Sequence, residues 1–259
     1  MVKWARAETG GEERVGRLEG ETFYICDGDL FNDPAETGDT VALADISLLT
    51  PCTPTKIVAL WNNSKANAEK QELDRPDHPL HFLKGPNTYL PSGDVIQKPA
   101  SYDGRVIYEA ELGIVIGKRA TNVPAGEAAA HIFGYTCVND VTALQLLDAD
   151  PSFPQWARAK GFDTFGAFGP VIETELDLSA ATIKAELNGR ERQNYAVSDL
   201  FYGPDELVSL ISHDMTLEAG DIISCGTGPG ALPMKPGAQI DVIIEGIGTL
   251  SNSYEDPAA

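Results

Sequence analysis

The chain has 259 residues, 42% of them apolar and 22% charged, a composition that sustains a packed core and excludes a disordered chain. Its 39 acidic and 19 basic residues give a formal charge of −20; with no basic run to offset that field, nucleic acid is excluded as a partner. No run of about 18 apolar residues offers a membrane helix, and the charged start Lys3-Trp4-Ala5-Arg6 does not suit a secretory leader, so a cytoplasmic protein without a membrane partner is expected.

In chain order, residues 1–54 read as a small β-rich domain, with strands at 14–18, 22–26 and 41–43 and a turn at Asp27-Gly28-Asp29. Pro51 and Pro54 mark a linker into a main domain at 55–259. That domain opens with an apolar strand at 56–61. A long proline-punctuated loop at 62–104 follows, with a short helix across 65–73, and is expected to cover a site. Residues 105–117 are rich in β-branched side chains and read as a strand or strand pair. Pro124 leads into a helix at 126–132, and 134–139 return as a strand.

Further strands are expected at 170–172, 182–187, 221–225 and 239–245, with Asn188-Gly189 as a hairpin turn. A helix begins at Gly203-Pro204-Asp205 and turns Leu207, Leu210 and Ile211 inward. Strands outnumber helices and do not alternate with them, which predicts an α+β architecture of packed or rolled sheets. Cys26, Cys52, Cys137 and Cys225 show no CxxC spacing and are expected as reduced, buried thiols.

The chemistry concentrates on three carboxylates. In an extended strand Glu109 and Glu111 point the same way, about 7 Å apart at their Cα atoms. The apolar run from Leu112 to Ile116 buries that stretch, and buried like charges need a cation. Asp140, closing the strand that precedes it, supplies a third carboxylate. Three oxygen ligands suit Mg²⁺ or Mn²⁺, with Ca²⁺ as an alternative, and suit Zn²⁺ less.

The segment Tyr108-Glu109-Ala110-Glu111-Leu112, followed by Gly134-Tyr135-Thr136-Cys137-Val138-Asn139-Asp140-Val141, resembles the fumarylacetoacetate hydrolase superfamily. Matching blocks follow in the same order: Ala159-Lys160-Gly161-Phe162-Asp163, Gly169-Pro170, Leu217-Glu218-Ala219-Gly220-Asp221, Gly226-Thr227 and Ile244-Glu245-Gly246-Ile247-Gly248. The resemblance spans residues 56–252. It implies a rolled, mixed β-sandwich with helices, a homodimer, and Mg²⁺ or Mn²⁺ held by Glu109, Glu111 and Asp140. It further implies Lys160 as the lysine beside the metal and Thr227 as the residue that holds a substrate carboxylate. Gly226 and Lys84, the latter in the family-like block Phe82-Leu83-Lys84, are grouped with Thr227 as substrate contacts.

Such a site acts on a small 2-oxo or 2,4-dioxo acid, chelated through its carboxylate and keto oxygens, by stabilising an enolate. The leading expectation is C–C cleavage, by hydrolysis or decarboxylation, in the breakdown of an aromatic or related compound. The alternatives are isomerisation or tautomerisation of a 2-hydroxydienoic diacid and non-catalytic binding of a 2-oxo acid. Hydrolytic members activate water with an H-x-x-E pair after the first strand. Here, with the glutamate on Glu69, Ala66 stands at the histidine position, and a one-residue shift brings Lys65 there. Lys65, Glu69 and His81 are therefore the candidate loop residues, with His78 as a further histidine. Leu144 replaces an arginine that often follows the N-D-V block. These departures favour steps that need no activated water.

Overall fold

The computed structural model describes residues 2–257. Strands β1 (Lys3–Thr9), β2 (Glu12–Glu19), β3 (Thr22–Asp27) and β4 (Ala35–Ala42) form an antiparallel meander, and the short β5 (Ser47–Leu48) returns to β1. The sequence signals at 14–18 and 22–26 lie inside β2 and β3. Strand β1 carries no such signal, because its fully buried positions are Ala5 and Ala7, and alanine is a weak strand former.

Next come β6 (Ile57–Trp61), helix α1 (Lys65–Lys70), β7 (Leu80–Lys84), β8 (Tyr89–Leu90) and β9 (Val95–Gln97). The expected loop at 62–104 is therefore not a single cover. Strand β7 pairs antiparallel with β6, from Ile57 opposite Lys84 to Trp61 opposite Leu80. Its half-exposed side chains and the preceding Pro79 conceal it in the sequence. Strands β10 (Val106–Ile107) and β11 (Ala110–Ile116) are separated by a break at Tyr108 and Glu109. Ala125–His131 coils as a 3-10 helix rather than an α-helix, entered from Pro124.

The remaining elements are β12 (Ile132–Asp140), β13 (Thr142–Ala143), α2 (Trp156–Lys160), β14 (Gly166–Glu173), β15 (Thr182–Leu187), β16 (Arg190–Ala196), α3 (Pro204–Asp214), β17 (Ile222–Ser224), β18 (Ala238–Ile244) and β19 (Gly248–Glu255). Asn188 and Gly189 join β15 to β16 with φ of 53° and 69°, the left-handed pair of a type I′ turn. Helix α3 buries Leu207, Val208 and Ile211 as its spacing predicts. All four cysteines are free and buried.

A twelve-stranded sheet runs β4-β3-β2-β1-β14-β12-β11-β17-β6-β7, with β5 against β1 and β8 against β14. The N-terminal meander enters it where Lys3 and Trp4 pair with Glu173 and Ile172. A second sheet, β16-β15-β18-β19-β9, packs on the first: β11 meets β15, β12 meets β18, and β14 meets β19. Leu112, Ile114, Ile183, Ala185, Val242 and Ile244 fill the layer between them. The opposite face of the first sheet carries its own apolar cluster, including Ile57, Val115, Phe168 and Ile222. All seven residues of β11 are buried because both its faces are covered. The result is the α+β rolled sandwich that the sequence predicts. No helix among the described residues is long and apolar enough to cross a membrane.

Ile183 is fully buried between the sheets. Replacing it by alanine removes packed methylenes and leaves a cavity, so Ile183→Ala is expected to lower unfolding stability by about 2–5 kcal/mol in urea titration. Leu232→Ala, at a surface position, is expected to change it by less than about 0.5 kcal/mol.

Candidate active site

Antiparallel pairing builds the site. Strands β11 and β12 align Ala110 with Asn139 and Glu111 with Val138, so residues about 30 apart in sequence share one end of the sheet. Glu109 lies in the break before β11 rather than within a strand. Its amide donates to the side chain of Asn139 (3.0 Å), and its carbonyl accepts from the amide of Asp140 (2.9 Å). The side chains of Glu109, Glu111 and Asp140 converge, each offering a carboxylate oxygen within 4.8 Å of the others.

Each carboxylate is held separately. Glu111, 1% exposed, accepts from the Gly226 amide (2.8 Å) and from Ser224 Oγ (2.5 Å). Gly226 has a φ of 91°, and a Cβ there would come within 3.1 Å of Asn63 Cβ, so glycine lets the amide reach the carboxylate. Asp140 is fully buried between two lysines: Lys84 Nζ donates to Oδ1 (2.6 Å) and Lys160 Nζ to Oδ2 (2.5 Å). Lys160 also donates to Glu109 Oε2 (2.5 Å) and lies 5.0 Å from the centroid of the Phe82 ring.

The electrostatics follow from burial and charge count. Burial alone would raise the pKa of Asp140, but the ammonium groups of Lys160 and Lys84 outweigh it and hold the pKa below its ordinary value. Burial disfavours charge on Lys160, yet Asp140 and Glu109 hold its pKa above the usual lysine range. Lys84 is lowered by burial, in spite of Asp140. Glu109 is raised by burial, and Glu111 is pushed up to about 8, by burial first and then by the charges of Asp140 and Glu109. With all three carboxylates ionised, two ammonium groups would leave one negative charge uncompensated, and the rise at Glu111 relieves it. The all-oxygen donor set and the rise at Glu111 both fit a hard divalent cation such as Mg²⁺ or Mn²⁺.

Above the carboxylates lies a cleft of about 320 Å³ with Glu109, Glu111 and Lys160 at its floor. Thr227 borders it, donating through Oγ1 to the Ala110 carbonyl (3.1 Å) and accepting from Gln193 Nε2 (2.8 Å). One wall is apolar, made by Leu144, Leu147 and Trp156, whose indole stacks on Phe82 at 5.2 Å between centroids. The other wall is the face of α1 that bears Asn67, Lys70 and Gln71.

Several expected residues lie elsewhere. Lys84 is fully buried and spends its remaining bonds on the carbonyls of Lys160 (2.6 Å) and Val141 (3.4 Å), so it braces Asp140 and does not line the cleft. Lys65 is exposed and donates to the Ser198 carbonyl (2.8 Å); Glu69 is exposed, and neither side chain lines the cleft. His81 lines an adjoining cavity of about 550 Å³, with Nδ1 4.0 Å from Asp214 Oδ2, and His78 Nε2 lies 2.9 Å from the same oxygen. Gln193 and Tyr195, on the inward face of β16, carry no site signal in the sequence. Yet Gln193 accepts from the Ala110 amide (3.1 Å), and Tyr195 donates to the carbonyls of Ala110 (2.7 Å) and Gly226 (3.2 Å). The alternation of Gln193 and Tyr195 with the exposed Arg192 and Asn194 is the pattern that would have revealed them.

Residues 56–254 match the fumarylacetoacetate (FAA) hydrolase C-terminal family, and residues 2–51 match the Rv2993c-like N-terminal family. The chain belongs to the fumarylacetoacetate hydrolase family. It is 38% identical over 237 residues to protein MJ1656 of Methanocaldococcus jannaschii, covering 92% of this chain and 96% of the relative. It is 36% identical over 225 residues to oxaloacetate tautomerase YisK of Bacillus subtilis, covering 82% of this chain and 74% of that protein. The solved structure of 5-carboxymethyl-2-hydroxymuconate delta-isomerase from Mycobacterium smegmatis is similar with a TM-score of 0.91 at 36% identity, covering 98% of this chain and 99% of that one.

Within this family the helix α1 corrects the loop register expected from sequence. Its N-cap is Ser64, whose Oγ accepts from the Asn67 amide (3.1 Å). Helical geometry then turns Asn67 and Lys70, three residues apart, toward the cleft and turns Lys65, Ala66 and Glu69 away. Asn67 and Lys70 thus line the cleft with the same three-residue spacing as an H-x-x-E pair. The face of α1 toward the cleft therefore carries an amide and a cation, with no histidine or carboxylate.

The raised Glu111 carries a testable sign. Its neutral form is favoured at pH 7 in the cation-free site, and a divalent cation favours the charged form, so binding should expel a proton. Calorimetry of Mg²⁺ or Mn²⁺ binding at pH 7 in buffers of different ionisation enthalpy is expected to show release of up to about one proton. Affinity is expected to fall as pH drops below about 8. Binding without proton release would contradict this charge assignment.

Proposed function

We propose that this protein catalyses keto–enol tautomerisation of a small 2-oxo acid, with Glu109, Glu111 and Asp140 holding Mg²⁺ or Mn²⁺. The observation that carries this reading is the content of the cleft. Its floor has Glu109, Glu111 and Lys160, and the residues that face them from α1 with the spacing of a water-activating H-x-x-E pair are Asn67 and Lys70. An amide and an ammonium are poor bases for water. The hydrolytic branch of the expected C–C cleavage therefore lacks its water-activating pair, whereas decarboxylation or a proton shift within the substrate requires none.

When bound, the divalent cation supplies Lewis acidity that favours the enolic form of a 2-oxo acid. The side chains around it do the rest. Thr227 borders the cleft beside the carboxylates; Gln193 donates to its hydroxyl, whose single proton binds the substrate carboxylate by turning away from the Ala110 carbonyl. Lys160, an ammonium in contact with Glu109 and Asp140, is the group we assign to proton movement at the substrate's third carbon. In the enol-to-keto direction it gives a proton to that carbon, the C2–C3 double-bond pair forms the new C–H bond, and the amine left behind takes the proton released from the 2-hydroxyl as the C2 carbonyl forms. Phe82 and Trp156 keep bulk water from that carbon. The name of the Bacillus subtilis relative supports this reaction. The name of the Mycobacterium smegmatis structure supports a second reading, isomerisation of a 2-hydroxydienoic diacid, which moves a proton by the same chemistry over a longer chain.

The test is to add the protein and Mg²⁺ to freshly dissolved enol-oxaloacetate and follow the enol absorbance together with CO₂ and pyruvate. Accelerated loss of absorbance without either product is expected, and stoichiometric CO₂ or pyruvate would overturn the reading in favour of decarboxylation. Lys160→Ala is expected to lower kcat by about 10²- to 10⁴-fold while Mn²⁺ still binds. Full activity in that variant would remove Lys160 from the proton path.

A further inference from the structure

We propose that Lys70 recognises a second, distal carboxylate of the substrate, so that the cleft selects 2-oxo diacids over 2,4-dioxo monoacids of the same shape. This rests on the reading of the site as one for 2-oxo acids. It assigns a specificity role to a residue whose sequence neighbours suggest only a solvated helix end.

Three observations converge on Lys70. The first is placement: it lies on the α1 face shared with Asn67 and Gln71, and that face is one wall of the cleft. The helix is fixed relative to Thr227, because Asn67 Nδ2 donates to the Thr227 carbonyl (3.3 Å) and Ser64 Oγ donates to Asp199 (2.6 Å). The second is charge. Lys70 has no ion-pair partner among the described residues, in a chain with 39 acidic side chains against 19 basic ones. The other charged side chains lining the cleft, Glu109, Glu111 and Lys160, are grouped at the floor, where Lys160 bonds Glu109 and Asp140.

The third observation is the opposite wall. Leu144, Leu147 and Trp156 offer apolar surface to a substrate, with Leu144 standing where an arginine often follows the N-D-V block. A carboxylate at the far end of the substrate finds no cation on that side. On the α1 side it meets an ammonium and the amide of Gln71, the charge-assisted pairing that a dianion needs to enter a protein of net charge −20. A neutral acyl end gains nothing from Lys70. The discrimination therefore lies in one charge.

Oxaloacetate and acetylpyruvate make that comparison directly, since a methyl group in the second replaces an anionic oxygen in the first. Tautomerisation kinetics and calorimetric Kd values, both with Mg²⁺, are measured for each compound on the wild type, Lys70→Gln, Lys70→Glu and, as a control on the same helix but off the cleft, Lys65→Gln. Oxalate, which reaches only the floor, reports whether the metal end is intact. Lys70→Gln is expected to raise KM and Kd for oxaloacetate about tenfold, with kcat within about twofold and with acetylpyruvate and oxalate unchanged. Lys70→Glu is expected to raise them further, and Lys65→Gln to change nothing. Equal effects on both compounds, or none, would overturn the role of Lys70 and leave the tautomerase reading standing. If the wild type binds both compounds and converts neither, the tautomerase reading fails while the Kd ratio still decides Lys70. If it binds neither, both fail.

Discussion

The site depends on mutual repulsion among three carboxylates, of which Glu111 and Asp140 are buried and Glu109 is half-buried. Glu109, Glu111 and Asp140 are forced together by the β11–β12 register, and two lysines offset only part of their charge. In a low-dielectric interior such a cluster is costly unless a cation completes it. Much of the surrounding structure answers that cost: the Gly226 amide and Ser224 fix Glu111, Asn139 fixes the backbone of Glu109, and Lys84 braces Asp140 from behind. The five-stranded sheet contributes Gln193 and Tyr195, which clamp Ala110 and the Gly226-Thr227 segment in place. The sandwich thus serves as a rigid frame for one concentrated charge.

That frame was largely legible in the sequence where side chains speak for themselves. The β-branched run at 105–117, the Asn188-Gly189 turn and the Leu207, Ile211 face of α3 all state their structure locally. The carboxylate triad was legible for the same reason, since paired acids in an apolar run demand an explanation. What stayed hidden was tertiary. Strand β1 buries only alanines, β7 follows a proline within a polar stretch, and the direction in which α1 turns its side chains depends on where Ser64 caps it. A shift of one residue there rotates the helix face by about 100°, which is why the sequence offered Lys65 and Glu69 although Asn67 and Lys70 line the cleft. Lys84 was misassigned because a lysine's charge suggests contact with an anionic ligand, whereas this one is sealed beneath Asp140.

The corrected register changes the chemical character of the cleft. A histidine and glutamate at the mouth would activate water, but an asparagine and lysine place a hydrogen-bonding amide and a positive charge over an anionic floor. On the function proposed above, the scaffold common to the fumarylacetoacetate hydrolase family would hold a 2-oxo acid without a pair to activate water. Proton transfer, and selection by the charge at the far end of the substrate, are the functions such a cleft can still perform.

The central claim is that the three carboxylates grip one divalent cation. Anomalous diffraction from crystals grown with Mn²⁺ tests it most directly. The account predicts a single strong peak about 2.0–2.3 Å from an oxygen of each of Glu109, Glu111 and Asp140, with Lys160 displaced toward the substrate side. A map with no peak there, and with Lys160 still bridging Glu109 and Asp140 at saturating Mn²⁺, would contradict it.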